Sequence, residues 1–196
     1  MRELILKMSI SIDGFVASPD GGAQWIVDTR DDKAAEWVVS TISDASLHIM
    51  GSRSFRDWAR YWPTSTTAFA PPMNKIPKAV FSKQGTSILS GINNTTAVQP
   101  GADSWAKAYV ASGDLNQEIA KLKGEDGKPI IAHGGASFAR SLVASGAVDQ
   151  YVLLVHPVVL GKGLPLFNDL PTPRILKLVS STTFPRGTVA QIYRPA

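Results

Sequence analysis

Apolar and polar positions along the chain change period several times, and each change marks an element. Glu3 to Ile12 alternates loosely and is mostly apolar, which predicts a core strand. Asp13-Gly14-Phe15-Val16-Ala17 then leads into Ser18-Pro19-Asp20-Gly21-Gly22-Ala23-Gln24-Trp25, a breaker-rich loop ending on a large aromatic, well suited to lie over a site. A helix follows, with Thr29 and Asp32 spaced as a capping box and Ala35, Val38, Val39 and Ile42 forming one apolar stripe. Leu47–Met50 reads as a short strand that turns at Gly51-Ser52-Arg53-Ser54-Phe55 into another helix. Trp62 to Pro77 carries four prolines and reads as an ordered loop or lid.

Lys78–Ser82 predicts a strand, residues 83–101 are polar without period, and a short strand is expected near Trp105–Val110. Asp114 is placed to cap a helix that buries Leu115, Ile119 and Leu122 and stops at Gly124. Ile130-Ile131-Ala132 is a short buried strand running through His133-Gly134-Gly135 into a helix that opens on small residues. Asp149–Pro157 is apolar and β-branched, and Arg174–Thr183 with Thr188–Arg194 flank Phe184-Pro185-Arg186-Gly187 as a hairpin. Strands alternating with helices imply an α/β domain with a largely parallel sheet covered on both faces, closed by an antiparallel hairpin at one edge. With no repeat and no linker, residues 1–196 read as one domain.

Two of these junctions share a design. At Gly51–Ser54 and again at Gly134–Phe138, a strand passes through small residues into a helix start. Glycine lets backbone approach a ligand closely, and a helix N-terminus favours an anion. Either bend could simply solve a tight turn, but two over one sheet edge could hold the separated phosphates of a dinucleotide. Arg53, Arg56 and Arg60 share a helix face beside the first bend, and an Arg fork there would favour a cofactor with an extra phosphate. Asp13-Gly14 allows two readings, a hairpin turn or an acid at the end of a core strand. His48, His133 and His156 stand singly in or at the ends of strands and read as packed or hydrogen-bonded residues, without metal-ligand spacing.

Composition narrows the chemistry. The absence of cysteine excludes disulfides, cysteine-based zinc sites and thiolate nucleophiles. The apolar run at the N-terminus is too short for a signal peptide, and the longest one, Tyr151 to Leu160, is broken by His156-Pro157, so a soluble cytoplasmic protein is expected. The net charge of +4 has no Lys/Arg block and no basic run interleaved with aromatics, so neither nucleic acid nor membrane is an expected partner. Gly161-Lys162-Gly163 is followed by Leu164-Pro165 rather than a helix, which rules out a Rossmann fingerprint.

Taken together, Met8-Ser9-Ile10-Ser11-Ile12-Asp13-Gly14-Phe15-Val16-Ala17, Trp25-Ile26, Ser43-Asp44-Ala45, Ile49-Met50-Gly51-Ser52-Arg53-Ser54, His133-Gly134-Gly135-Ala136 and the tail from Asp149 through Phe167 give the chain a likeness. It resembles the dihydrofolate-reductase-like superfamily, most closely the C-terminal reductase domain of the riboflavin-biosynthesis deaminase-reductase. The resemblance covers nearly the whole chain. It implies a mostly parallel central sheet flanked by helices, NADPH as cofactor, and a homodimer. It places the cofactor across Gly51, Ser52, Arg53 and Ser54, then Phe81, Ser82 and Lys83, then Gly134, Gly135, Ala136, Ser137 and Phe138. It also puts Asp13 at the reacting end of the substrate, as proton donor or orienter.

Asp28 or Asp31 would hold substrate donors, and Trp25 and Trp62 would form apolar walls. The activity implied is 5-amino-6-(5-phosphoribosylamino)uracil reduction, with pteridine reduction second and a non-catalytic nucleotide-binding protein third. Three stretches depart from the resembled patterns, one of them Asp57-Trp58-Ala59-Arg60-Tyr61-Trp62, which stands where the riboflavin reductases carry a substrate-serving Asp-Asp-Pro-x-Leu-Thr segment. The helix after Trp25-Ile26 carries Ala34, Ala35, Glu36 and Trp37 instead of phosphate-binding arginines, and Arg30 stands where dihydrofolate reductases place a carboxylate.

Overall fold

A computed structural model describes residues 1–92, 97–168 and 170–196. In chain order its strands are β1 (Leu4–Ser11), β2 (Phe15–Ala17), β3 (Leu47–Gly51), β4 (Lys78–Phe81), β5 (Tyr109–Ala111), β6 (Ile130–Ala132), β7 (Gln150–His156), β8 (Leu164–Pro165), β9 (Leu176–Thr183) and β10 (Val189–Pro195). Its helices are α1 (Gln24–Asp28), α2 (Asp32–Ser43), α3 (Ser52–Tyr61), α4 (Ala70–Lys75), α5 (Asp103–Ala106), α6 (Leu115–Gly124) and α7 (Ala136–Ser145). Eight strands form one sheet in the order β5-β4-β3-β6-β1-β7-β10-β9, while β2 and β8 pair separately. From β5 to β7 every neighbouring pair is parallel, and β10 and β9 close the edge antiparallel. The fold is the expected mostly parallel, dihydrofolate-reductase-like sheet with a closing hairpin.

Strand order decides where the helices lie. The crossovers β1→β3, β3→β4 and β4→β5 run toward one edge of the sheet, whereas β5→β6 and β6→β7 run toward the other. Parallel crossovers are right-handed, so the two sets must cover opposite faces. They do: Ala34, Val38 and Ile42 of α2, Phe55 and Ala59 of α3 and Trp105 of α5 share one apolar cluster, with Ile5 and Ile131 beneath them. Ile119 and Leu122 of α6 and Leu142 and Val143 of α7 share the other, over Leu4, Leu6 and Met8. Between neighbouring strands β3 and β6 the departing helices therefore split, and a crevice opens there at the carboxyl ends of the strands.

Several expectations shift in detail. The N-cap of α2 is Asp31, not Thr29: its carboxylate accepts from the Lys33 and Ala34 amides. The buried stripe consequently runs through Ala34, Val38 and Ile42, one position off the expected Ala35 and Val39. The proline-rich segment is no lid. It folds as a short 3-10 turn and α4, where buried Asn74 donates to the Trp62 and Ala70 carbonyls and accepts from Trp105 Nε1. Trp105 itself lies in α5, and the strand after it begins at Tyr109. Asp114 caps α6 as expected, accepting from the Asn116 and Gln117 amides. The expected unpatterned stretch 83–101 contains a 3-10 turn at Gly85–Leu89, and residues 93–96 within it lie outside those described.

Candidate functional site

The two bends meet. The Gly51 amide donates to the Gly134 carbonyl at 3.0 Å, joining the end of β3 to the turn after β6. There is no room for side chains at this junction: a Cβ on Gly51 would lie 2.9 Å from Phe138 Cβ, and one on Gly135 would lie 3.1 Å from Ser54 Oγ. Gly134 has φ +90, a conformation that favours glycine, and its peptide to Gly135 is cis. Helices α3 and α7, of ten residues each, start from Gly51 and Gly135 with no side-chain cap and no acid in the first turn. Both positive helix ends therefore face the same space.

That space is a cleft of about 640 Å³. Of the residues expected to bind a cofactor, Gly51, Ser52, Arg53, Ser54, Phe81, Gly135, Ala136, Ser137 and Phe138 line it. Phe81 and Phe138 stack at 4.8 Å beside the bends. Gly134, Ser82 and Lys83 do not line it. The Gly134 carbonyl is taken by Gly51, the Ser82 hydroxyl accepts from the Gln84 amide, and Lys83 Nζ donates to the Gly113 carbonyl. Gly21 and Ala23 from the loop before Trp25 form part of the rim, with Gly21 against the Arg53 guanidinium. The three arginines of α3 separate: Arg53 faces the cleft, whereas Arg56 donates to Gln84 and, with Arg60, lines a smaller cavity beyond it.

The expected substrate residues are placed elsewhere. Asp13 does not line the cleft; its carboxylate accepts from Ser11 Oγ at 2.6 Å and from the amides of Gly161 at 2.7 Å and Leu160 at 3.1 Å. The Ser11 hydroxyl first, then those two amides, hold its pKa below the usual carboxylate value, so the group stays ionised and ties the end of β1 to the 160–161 turn. This supports the turn reading over the catalytic one. Asp31 is spent on the cap of α2 and on the Arg186 amide at 2.6 Å; burial pushes its pKa up, but the amides of Arg186, Ala34 and Lys33 hold it down. Asp28 is exposed and accepts from Gln24. Trp25 is buried edge-on against His156 at 5.3 Å, and Trp62 packs among Trp58, Tyr61 and Phe69; neither reaches the cleft.

In their place the structure brings Lys7, Ser9, Asp57, Trp58 and His133 to the cleft. Lys7 projects from the middle of β1 and makes no hydrogen bond or ion pair among the described residues, so burial lowers its pKa to about 8. Desolvation first, then the neighbouring His48, Lys7 and Lys78, hold His133 well below its ordinary value, so its ring is neutral. That ring stands edge-on to His48 at 4.5 Å and to Trp58 at 5.6 Å, with Nε2 buried and unpartnered. The sequence did carry a signal for Lys7: one lysine interrupts the otherwise apolar Leu4-Ile5-Leu6-Lys7-Met8.

Against known proteins, the model of the RibD C-terminal domain matches residues 2–190. The chain belongs to that family. The Bacillus subtilis (strain 168) Uncharacterized protein YyaP is 31% identical over 193 residues, covering 98% of this chain and 94% of its own. A putative riboflavin biosynthesis protein from Shewanella sp. PV-4 superposes with a TM-score of 0.74 at 17% identity, over 99% of both chains. A Thermotoga maritima diaminohydroxyphosphoribosylaminopyrimidine deaminase/5-amino-6-(5-phosphoribosylamino)uracil reductase does so at 0.68 and 17%, covering all of this chain and 57% of that one. The two superpositions establish a shared fold. Family membership supports a reductase-type role, and RibD C-terminal reductase domains generally bind NADPH. Among the described residues no helix is long and apolar enough to cross a membrane.

Proposed function

We propose that this chain is an NADPH-dependent reductase of the 5-amino-6-(5-phosphoribosylamino)uracil reductase type. It would pass hydride to a C=N or C=O carbon of a small heterocyclic or sugar-linked substrate. The observation that carries this reading is the convergence of two uncapped helix starts on one cleft, locked by the Gly51–Gly134 hydrogen bond. Pteridine reduction is the second reading, favoured by the Trp58 wall and by the lack of arginines on α2.

The residues present fit the cofactor. The first turns of α3 and α7 offer backbone N–H groups to phosphate oxygens, and the closeness of Gly51 and Gly135 to Phe138 and Ser54 keeps that cradle narrow. Arg53 is the residue for an extra phosphate, because a guanidinium fork matches phosphate oxygens. When bound, NADPH supplies the hydride. The protein supplies distance, face and proton. Lys7, with a pKa near 8, holds a proton at neutral pH and is poised to hydrogen-bond or protonate the heteroatom of the bond being reduced. Neutral His133 can orient that group but brings no charge. The reading includes a homodimer in the cytoplasm, with light scattering of the purified protein as the check on assembly.

The cofactor assignment is tested by titrating the protein with NADPH and NADH and following tryptophan fluorescence. Arg53→Ala should weaken NADPH by about 10- to 100-fold, the usual worth of a charged hydrogen-bond partner, and leave NADH within a few fold. Equal losses for both nucleotides would remove Arg53 from the phosphate site. Absorbance at the nicotinamide band, with aminouracils and pterins offered in turn, then reads turnover.

A further inference from the structure

We infer that the substrate end of this cleft takes a planar, phosphate-free nitrogen heterocycle seated on the Trp58 indole. The inference rests on the reductase reading and narrows its substrate to one without the 5′-phosphate that the substrate of the reductase type named above carries.

Charge is the first argument. Among the described residues two cationic side chains line the cleft, Lys7 and Arg53. Arg53 stands in the first turn of α3, at the bend assigned to the cofactor, which leaves Lys7 as the cation for a substrate. A phosphate monoester carries a charge of about −1.5 to −2 at neutral pH and wants several donors. Of the cations around the start of α2, Arg30 pairs with Asp32 at 2.9 Å and Lys33 with Glu36 at 2.8 Å, and neither lines the cleft. The next α2 residue, Ala34, is buried in the core, and Trp37 packs on Phe184. Asp57 also lines the cleft, with no hydrogen bond or ion pair among the described residues. Its negative charge repels a phosphate but accepts from ring N–H or amino groups.

Shape is the second argument. Trp58 precedes no gap in the helix: it follows Asp57 directly and lies one turn beyond Ser54, so the aromatic surface begins where the cradle ends. Two roughly perpendicular contacts hold its ring plane, His133 at 72° and 5.6 Å and Trp62 at 80° and 6.2 Å. The indole N–H makes no hydrogen bond among the described residues. Val16, Ile26 and Leu164 supply apolar contact elsewhere in the cleft. A fixed aromatic plate with one acceptor carboxylate and one ammonium suits a flat ring that carries N–H donors and a carbonyl oxygen. It does not suit a sugar phosphate.

The test uses the full chain and isothermal titration, with and without saturating NADPH. The probes are 7,8-dihydropterin, 5-amino-6-ribosylaminouracil and the 5′-phosphate of the latter. Removing the phosphate should change affinity by less than about threefold. Trp58→Ala should weaken the heterocycles about tenfold, as loss of a stacked aromatic does, with NADPH affinity held and Trp58→Phe restoring most of the loss. Tighter binding of the 5′-phosphate by tenfold or more overturns the inference, as does failure of all three probes to bind or an unchanged affinity in Trp58→Ala. Heterocycle binding without any NADPH binding would instead sink the reductase reading and leave the seat on Trp58 standing.

Discussion

Gly51→Ala is the sharpest probe of the joined bends. Gly51 has φ −77 and ψ 164, so alanine suits the backbone and only space is at issue. The new methyl group would stand 2.9 Å from Phe138 Cβ, which belongs to the helix scaffold and cannot swing aside like the end of a flexible chain. Relief requires the start of α7 to move away from β3 by several tenths of an ångström, which also disturbs the Phe81–Phe138 stack and the Gly51–Gly134 hydrogen bond. Overpacking of this kind costs about 1–3 kcal/mol. For a chain of this size that is a fall in melting temperature of about 2–12 °C, taking roughly 2–4 °C per kcal/mol.

Nucleotide affinity should fall further, because the same movement widens the phosphate cradle. The second-site pattern is diagnostic. Phe138→Ala keeps the offending Cβ and should not rescue Gly51→Ala, whereas Phe138→Gly removes it and should recover part of the loss, less about 1 kcal/mol for glycine in a helix. Urea denaturation followed by circular dichroism gives the stability cycle, and fluorescence titration gives the affinity. A Gly51→Ala protein with unchanged stability and unchanged NADPH affinity would refute the contact and the cradle together.

Lys7→Met should abolish turnover yet stabilise the fold. Because the folded pKa of about 8 lies below the ordinary 10.5, the unfolded chain binds more protons between those values, so the wild type gains stability as pH rises through that window. The advantage of Lys7→Met should therefore be largest below pH 8, at most about 3 kcal/mol, and fade toward pH 10.5. Turnover in the wild type should fall as pH rises through about 8 if the ammonium is the donor; a flat profile there would exclude it. Asp31→Asn should lower the urea midpoint at neutral pH. Since the folded carboxylate titrates below its unfolded value, the difference should shrink as pH falls through roughly 4 and below. Asp13→Asn should accelerate amide exchange at Leu160 and Gly161 while leaving NADPH affinity unchanged and turnover within a few fold; a collapse of turnover with slow exchange would return Asp13 to the chemistry.

What was legible in the chain followed from how local each signal is. The bends could be read because a glycine between an apolar triplet and a run of small residues constrains backbone over a few positions, as at Ile130–Ala136. The hairpin at Phe184–Gly187 was equally local, and Gly187 closes it with φ +88. The anchoring of Asp13 was illegible for the opposite reason: its partners at Leu160 and Gly161 lie 147 and 148 residues away. Trp25 and Trp62 each follow or adjoin breakers, and a tryptophan beside a breaker reads alike whether it walls a site or fills a core. In α2, adjacent carboxylates left the cap open, and choosing Thr29 over Asp31 turned the apolar stripe by one position. Lys7 could have been weighed, since a lone lysine in the middle of a core strand must find a carboxylate, a solvent path or a ligand. Among the described residues no carboxylate is bonded to it.

The position of the cleft follows from topology, and its chemistry does not. Inserting β6 between β3 and β1 forces the crossovers on its two sides to run in opposite directions, so right-handedness alone sends α3 and α7 to opposite faces and leaves their starts flanking one crevice. Any sequence that keeps this strand order, with small residues where Gly51 and Gly135 stand, inherits a crevice flanked by two helix N-termini. Specificity must then come from positions the topology leaves free: one inward residue on β1, and the second turn of α3. Here those are Lys7, Asp57 and Trp58. It follows that replacing Asp57 should redirect substrate choice while nucleotide affinity and the melting temperature stay nearly constant, since that residue is exposed and belongs neither to the bends nor to the core.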